Sequence, residues 1–286
     1  MRFSGRSAAE EAQICRSVQV LSKRLPYNAS NERFGVSGLE KDRNMTKYYI
    51  EEHELGYRQI KAEGKTNWDE LHGLSGFDDF AMRPIFERTL PLLNFSVPQP
   101  RTLEYGCGTG PGACFLAARG FQVDGIDISP IAIEMAKELA AQRRLTINYA
   151  VSDICNLPSM DRIYDFIVDS FCLQCIVTNS DRANVFSAVR LRLKPKGYYL
   201  IGTAIFTEGR DYGDQVFDEE TGIVYTKLGD DKGNFEDAVE LSDGWYLPNR
   251  RHLKPQVLVK ELKEAGFKTL WYNEESSMGL ICQRAG

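Results

Sequence analysis

No apolar run in this 286-residue sequence approaches the roughly 18–20 residues that cross a bilayer, which excludes a spanning helix. A basic excess is missing too. Thirty-five Lys and Arg against 40 Asp and Glu give −5, the wrong sign for a domain that tracks phosphates, so no nucleic-acid partner is expected. Cys172-x-x-Cys175 has no second closely spaced Cys or His pair to complete a zinc site, so no metal is expected either. The seven cysteines are odd in number and scattered, unlike a disulfide framework, and buried inert thiols are the expected state. The start of the chain lacks the compact apolar core of a secretory signal. A reducing, cytoplasmic setting is expected, and the Asn-x-Ser/Thr matches at Asn28, Asn44 and Asn94 read as chance. What the chain does have is 43% hydrophobic residues, enough to bury a substantial core.

Composition shifts divide the chain. Residues 1–44 hold eight basic and five acidic residues (+3), leaving 27 against 35 (−8) for 45–286. This stretch reads as a loosely ordered extension, with a short helix over 8–22. An organelle leader is the sharper alternative, on Arg2, Arg6, Arg16 and Arg24, opposed by Glu10 and Glu11. Residues 45–99 read as a helical cap: Tyr48, Tyr49, His53, Tyr57 and Ile60 recur at helical spacing, and a second helix spans 80–93. Ser96-Val97-Pro98-Gln99-Pro100 then breaks the chain.

Residues 100–286 alternate short apolar runs with helices. Strands are predicted over 102–105, 122–127, 146–150, 166–169 and 198–203, and helices over 111–119, 130–143, 182–193 and 255–265. That order builds an α/β, doubly wound, mostly parallel sheet with helices on both faces. Two final runs, 269–272 and 278–282, are too close for a parallel crossover and predict an antiparallel hairpin at the edge, making seven strands. Between the fifth strand and the last helix, residues 206–251 form an insertion long enough to be a lid or to carry its own small sheet.

The strongest local signal is Leu103-Glu104-Tyr105-Gly106-Cys107-Gly108-Thr109-Gly110-Pro111-Gly112, directly after the first strand and opening a helix. Glycines there permit a tight turn and a close ligand approach, and Cys107 keeps the loop's side chains small. Asp127 ends the second strand, where a carboxylate can take both hydroxyls of a ribose, with Ile128 next to it. Asp153 and Ile154 follow the third strand. Both acids and the loop therefore face one crevice and one nucleoside-like ligand. Gly108-x-Gly110-x-x-Ala113 also fits a dinucleotide fingerprint. Pro111 lacks an N–H where pyrophosphate would seek donors, and Glu104 would repel it.

These elements resemble the class I S-adenosylmethionine-dependent methyltransferases, of small-molecule type. The resemblance covers roughly residues 100–203 and 255–282, terminal hairpin included. It implies S-adenosylmethionine as methyl donor, with Gly106, Gly108 and Gly110 shaping the loop under its methionine part and Glu104 near its cationic end. Asp127 would bind the ribose, and Asp153 with Ile154 would flank the adenine. Asp169 and Phe171 would face the reactive methyl.

Methyl transfer from a sulfonium needs alignment and dryness more than a base, so the lack of a legible catalytic dyad is no objection. The segment after strand four lacks the Asn/Asp-Pro-Pro-aromatic pattern of enzymes acting on base or glutamine amino groups. A small-molecule acceptor, methylated on nitrogen, oxygen or carbon, is therefore expected. Methylation of RNA or protein, or a non-catalytic donor-binding module, stand as alternatives. Candidate catalytic groups are Gln174, His252 and His72; candidate acceptor walls are Tyr49, Trp68, Phe171, Gln174 and Tyr246. Residues 207–250 carry twelve acidic and four basic residues, and this −8 predicts a negative mouth that admits cationic or neutral acceptors.

Overall fold

A computed structural model describes residues 46–158, 163–275 and 277–285. The expectations for residues 1–44 lie outside the described residues. Numbered in chain order, β1 (Arg101–Tyr105), β2 (Gln122–Asp127), β3 (Asn148–Val151), β4 (Tyr164–Ser170) and β5 (Leu193–Ala204) share one sheet with β10 (Phe267–Tyr272) and β11 (Ser277–Arg284). Their order is β10-β11-β5-β4-β1-β2-β3. The first five pair in parallel, and β11 runs antiparallel between β5 and β10, as the short 273–277 connection requires.

Strand residues alternate between two cores. Leu103, Tyr105, Ile167, Tyr199 and Ile201 face one side, where α5 (Asn179–Arg192) contributes Val185 and Val189 and α6 (Pro255–Glu264) contributes Leu258 and Leu262. Phe166, Val168, Leu200 and Ile281 face the other, against Leu116 of α3 (Pro111–Ala117) and Ile133 and Ala136 of α4 (Pro130–Gln142). Helix α1 (Tyr48–Ala62) buries Tyr48, Tyr49, Tyr57 and Ile60 on the face the sequence predicts. The helix expected over 80–93 is shorter. As α2 it spans Arg83–Thr89, starting where Pro84 loses nothing by lacking an N–H, and Pro91 turns its end into a 3-10 turn. It joins the second core through Ile85 and Phe86, whose ring stacks on Phe115 at 5.2 Å.

The insertion carries a sheet of its own: β6 (Val216–Asp218), β7 (Ile223–Gly229), β8 (Val239–Leu241) and β9 (Gly244–Arg251), all antiparallel in the order β6-β7-β9-β8. Thr46 N–H donates to Asn234 O at 2.8 Å, and Arg250 of β9 pairs with Glu52 of α1 at 2.9 Å, so this sheet leans on the first helix.

The segment after β4 is held by a buried cation. Arg182 is 2% exposed; its Nε and Nη2 each donate to the Glu261 carboxylate at 2.6 Å, and Nη1 donates to the carbonyls of Leu173 and Ile176 at 2.9 and 3.0 Å. Arg182→Ala leaves a half-buried carboxylate and two carbonyls without their donor, and is expected to lower the unfolding free energy in urea by about 1–3 kcal/mol. Arg182→Met fills the volume and should cost less.

Candidate active site

The described cleft opens at the carboxyl ends of β1, β2, β3 and β4, where the strand order reverses around β1. Glu104, Gly106, Cys107, Gly108, Asp127, Ile128, Asp153, Ile154 and Phe171 all line it. The loop after β1 runs through Gly106 at φ +60°, a left-handed conformation that favours glycine. A Cβ at Gly106 would stand 2.4 Å from the Cβ of Cys172, so loop and post-β4 segment touch backbone to side chain with no space between.

Glu104 sits beneath that loop, 1% exposed. Its Oε1 accepts from Ser170 Oγ at 2.5 Å, and its buried Oε2 has no partner. Burial raises its pKa to about 7, against the lowering pull of the Ser170 hydroxyl and the Ala113 amide. Asp127 is anchored at both oxygens: Oδ2 accepts from Gly108 N–H and Oδ1 from Ser129 N–H, each at 2.9 Å. One carboxylate thus ties the glycine loop to the start of α4 and turns its remaining lone pairs to the cleft. Asp153 is more committed. Its Oδ1 accepts from Cys155 N–H at 2.9 Å, and its Oδ2 from Tyr49 Oη at 3.0 Å and Asn156 Nδ2 at 2.6 Å. Phe171 takes φ +60°, rare for a side chain with a Cβ, and its N–H donates to Gly202 O at 2.8 Å.

Five predicted site residues fall outside the lining. Gly110 shapes the loop from behind: it caps α3 at φ +84°, and a Cβ there would meet the Tyr149 hydroxyl at 2.2 Å. Asp169 turns inward and is fully buried. Its Oδ1 accepts the amides of Cys172 and Leu173 at 2.9 and 3.0 Å, and burial raises its pKa to about 8. Tyr246 is buried in the insertion, its hydroxyl donating to Asp243 at 2.9 Å. His252 is 3% exposed and stacks on Tyr212, whose hydroxyl lies 3.2 Å from Nδ1; burial and two nearby arginines push its pKa far down. His72 lies under Trp68, its pKa pushed down to about 4 by burial, with neither ring nitrogen partnered.

The histidine that does line the cleft is the third one, His53. Tyr49, Trp68 and Gln174 line it as well, Gln174 being fixed by a 2.8 Å bond from Ala204 N–H to its Oε1. Tyr57, Asn67, Asp69, Phe80 and Arg250 were missed by sequence reasoning. Burial raises the Asp69 pKa to about 6 while Oδ2 accepts from Ala81 N–H at 3.0 Å. The negative mouth is corrected outright. None of the insertion's carboxylates lines the cleft; the insertion's contribution there is a cation, Arg250. The alternation of β9 carried the signal: Tyr246, Pro248 and Arg250 form its buried face, and a lone arginine on such a face has a reason to be there.

Among the described residues no helix is long and apolar enough to cross a membrane, and no group of three or more His, Cys, Asp or Glu could hold a metal ion. The six described cysteines, Cys172 and Cys175 among them, are free thiols.

Residues 102–197 match a family model described as a methyltransferase domain. A 2-heptyl-1-hydroxyquinolin-4(1H)-one methyltransferase from Mycobacteroides abscessus is 42% identical over 24% of this chain and 30% of its own length. A ubiquinone biosynthesis O-methyltransferase from Rickettsia akari is 32% identical over 48% of this chain and 55% of its own. The chain thus spans between about a third and just over half of these relatives. In fold, the CcbJ methyltransferase from Streptomyces caelestis superposes with TM-score 0.59 at 15% identity, covering 84% of this chain and 99% of that one. An S-adenosylmethionine-dependent methyltransferase from Clostridium acetobutylicum gives 0.52 at 18%, covering 71% and 89%. The glycine loop and the strand-end acids thus fall within residues 102–197, the part of the chain that is similar to a methyltransferase domain.

Proposed function

We propose that the protein transfers a methyl group from S-adenosylmethionine to a small-molecule acceptor. The observation that carries this reading is Glu104: a buried carboxylate with one oxygen unpartnered, beside a glycine turn. Such a group calls for a cation. It suits a donor with a sulfonium and an ammonium group and opposes a pyrophosphate, which weighs against the dinucleotide alternative. Asp127 binds the ribose hydroxyls, Ile128 and Ile154 flank the purine with Asp153 at its edge, and the main chain of Gly106 and Gly108 approaches the amino-acid tail. The names of the two relatives denote small acceptors, a hydroxyquinolinone and a ubiquinone precursor, which supports the same class here. The free thiols suit a cytoplasmic setting.

S-adenosylmethionine supplies a methyl group already activated on a sulfonium. The chain's own task is alignment and exclusion of water. Tyr49 closes one wall through Asp153, and Tyr57 and Trp68 pack ring against ring at 5.4 Å to form another. Phe171, in its fixed left-handed turn, and Gln174, tied to β5, hold the acceptor side rigid.

Calorimetry should show both S-adenosylmethionine and its demethylated product binding the full chain, and Asp127→Ala weakening each about 10–100-fold through lost charge-assisted hydrogen bonds. Labelled methyl should enter the low-mass fraction of a metabolite extract; transfer confined to RNA or protein would overturn the acceptor class. Glu104 sets a pH dependence. Its folded pKa of about 7 lies above its ordinary 4.5, so the free protein is stabilised at low pH and loses that contribution as pH rises from 4.5 to 7. A cationic donor prefers the ionised carboxylate, so binding releases a proton. Affinity should strengthen by up to about tenfold per unit between pH 5 and 7, then level off. Glu104→Gln should bind more weakly and with a flat profile; an unchanged slope would remove Glu104 from the donor site.

A further inference from the structure

The cleft wall holds a thiol that methyl transfer leaves unused. Cys175 closes the 3-10 turn Leu173–Cys175 after β4, lines the cleft and is 6% exposed. Its Sγ donates to the Phe171 carbonyl at 3.7 Å, a weak contact, since S–H is a poor donor. The stronger neighbour is His53 of α1, which lines the same cleft. His53 places Nδ1 2.6 Å from the carbonyl oxygen of Tyr49; a carbonyl only accepts, so Nδ1 carries a proton and the orientation of the ring is set. Trp68 backs the ring at 5.8 Å, tilted by 31°. The other hydrogen bond of the imidazole goes to Cys175. Burial lowers the His53 pKa, but that bond and the charges of Cys175 and Glu52 outweigh it and bring the pKa to about 9, so the ring is charged at neutral pH. Arg250, clamped to Glu52 through Nη1 and Nη2 at 2.9 and 3.0 Å, is a second positive charge that interacts with the same sulfur.

A thiol, an imidazole bonded to it and a third group that orients the imidazole form the arrangement that activates cysteine. The contrast lies three residues away. Cys172 is the more exposed thiol of the two, yet its Sγ packs against the glycine loop, where a Cβ on Gly106 would meet it at 2.7 Å. Burial and the neighbouring Asp169 carboxylate push its pKa well up. Burial does the same to Cys107 and Cys155, with Asp127 and Asp153 beside them, and takes Cys114 and Cys282 up to about 11 and 12. We infer that Cys175 is an activated nucleophile oriented by His53, and that it is the site at which a small carbon electrophile entering the cleft modifies this protein. The thiol proton goes to solvent, and the imidazolium and guanidinium charges stabilise the thiolate. A sulfur electron pair then forms the bond to carbon; with a haloacetamide the carbon–halogen bond breaks and its pair leaves with the halide. Of the acids nearest these cations, Glu52 is clamped to Arg250, and Asp127, which feels the His53 charge, accepts from two main-chain amides.

The test treats the full chain, thiols reduced, with iodoacetamide at neutral pH and follows each cysteine-containing peptide by mass spectrometry. The expected result is that Cys175 is carbamidomethylated at least about tenfold faster than Cys107, Cys114, Cys155, Cys172 and Cys282, with Cys172 the slower of its pair despite its greater exposure. In mildly acidic to neutral buffer the rate at Cys175 should also change less steeply than the roughly tenfold per pH unit of an unassisted thiol. His53→Gln keeps a polar side chain without the charge. It should slow labelling of Cys175 about tenfold and restore the steep pH profile, with the rates at the other five sites and the melting temperature held. Cys175 reacting no faster than Cys172, or a folded His53→Gln chain labelled at the unaltered rate, would overturn the inference. Should that variant fail to fold, the profile of the unaltered chain decides: the full steepness at Cys175 overturns the inference, and a shallower one supports it.

Discussion

A carboxylate with one exposed percent of surface and an oxygen that bonds to nothing is stable only if it is protonated or if a cation arrives. Glu104 is that group, and much of the surrounding structure is arranged so that it can exist. It lies on β1, the strand at the centre of the order reversal, with helices covering both faces of the sheet. The side-chain-free position at Gly112 lets α3 pass over it, since a Cβ there would come within 2.1 Å of Oε1. Ser170, at the end of the neighbouring β4, satisfies one oxygen and leaves the other turned to the loop.

Helix α1 links that pocket to the rest of the molecule. Along its length Tyr49 bonds Asp153, Glu52 clamps Arg250, His53 faces the cleft and Glu54 accepts from Ser129 Oγ at 2.6 Å. Ser129 also caps α4 and bonds Asp127 through its amide, so the helix reads the positions of both strand-end acids. Because the same helix holds the insertion's Arg250 through Glu52, the strand-end acids and the insertion share one wall of the cleft. The wall is built from charge-assisted contacts, that of Arg250 to Glu52 through both terminal nitrogens, and they weaken if water enters.

The parts of this site that were legible in the sequence are those set by short-range rules. Glycines at 106, 108 and 110, acids at the ends of β2 and β3, and the short gap before the last strand each follow from local turn or strand geometry. Gly110 and Asp169 show the limit: the family resemblance put both at the donor, but which way a strand-end side chain turns depends on whether backbone amides capture it first, as those of Cys172 and Leu173 capture Asp169. The rest of the cleft wall was illegible for a different reason. It is assembled from α1, the turn at 67–69, the 80–82 segment and β9, between which no sequence spacing speaks. Of three histidines, the two with suggestive neighbours became a stacked core residue and an unpartnered one beside Trp68, and the one that looked like a helix-face residue reached the cleft.

The insertion makes the same point about charge. A count of −8 over 207–250 predicts a negative mouth only if the carboxylates point into it, and here they are spent elsewhere: Asp237 and Glu236 on Lys47, Asp243 on Lys227 and Tyr246, Asp218 on its own turn. The strand period then delivers Arg250 to the buried face. Screening falls with burial, so the charge that lines the cleft matters more there than a count along the sequence. An acid, Glu104, and a cation, Arg250, therefore line one cleft.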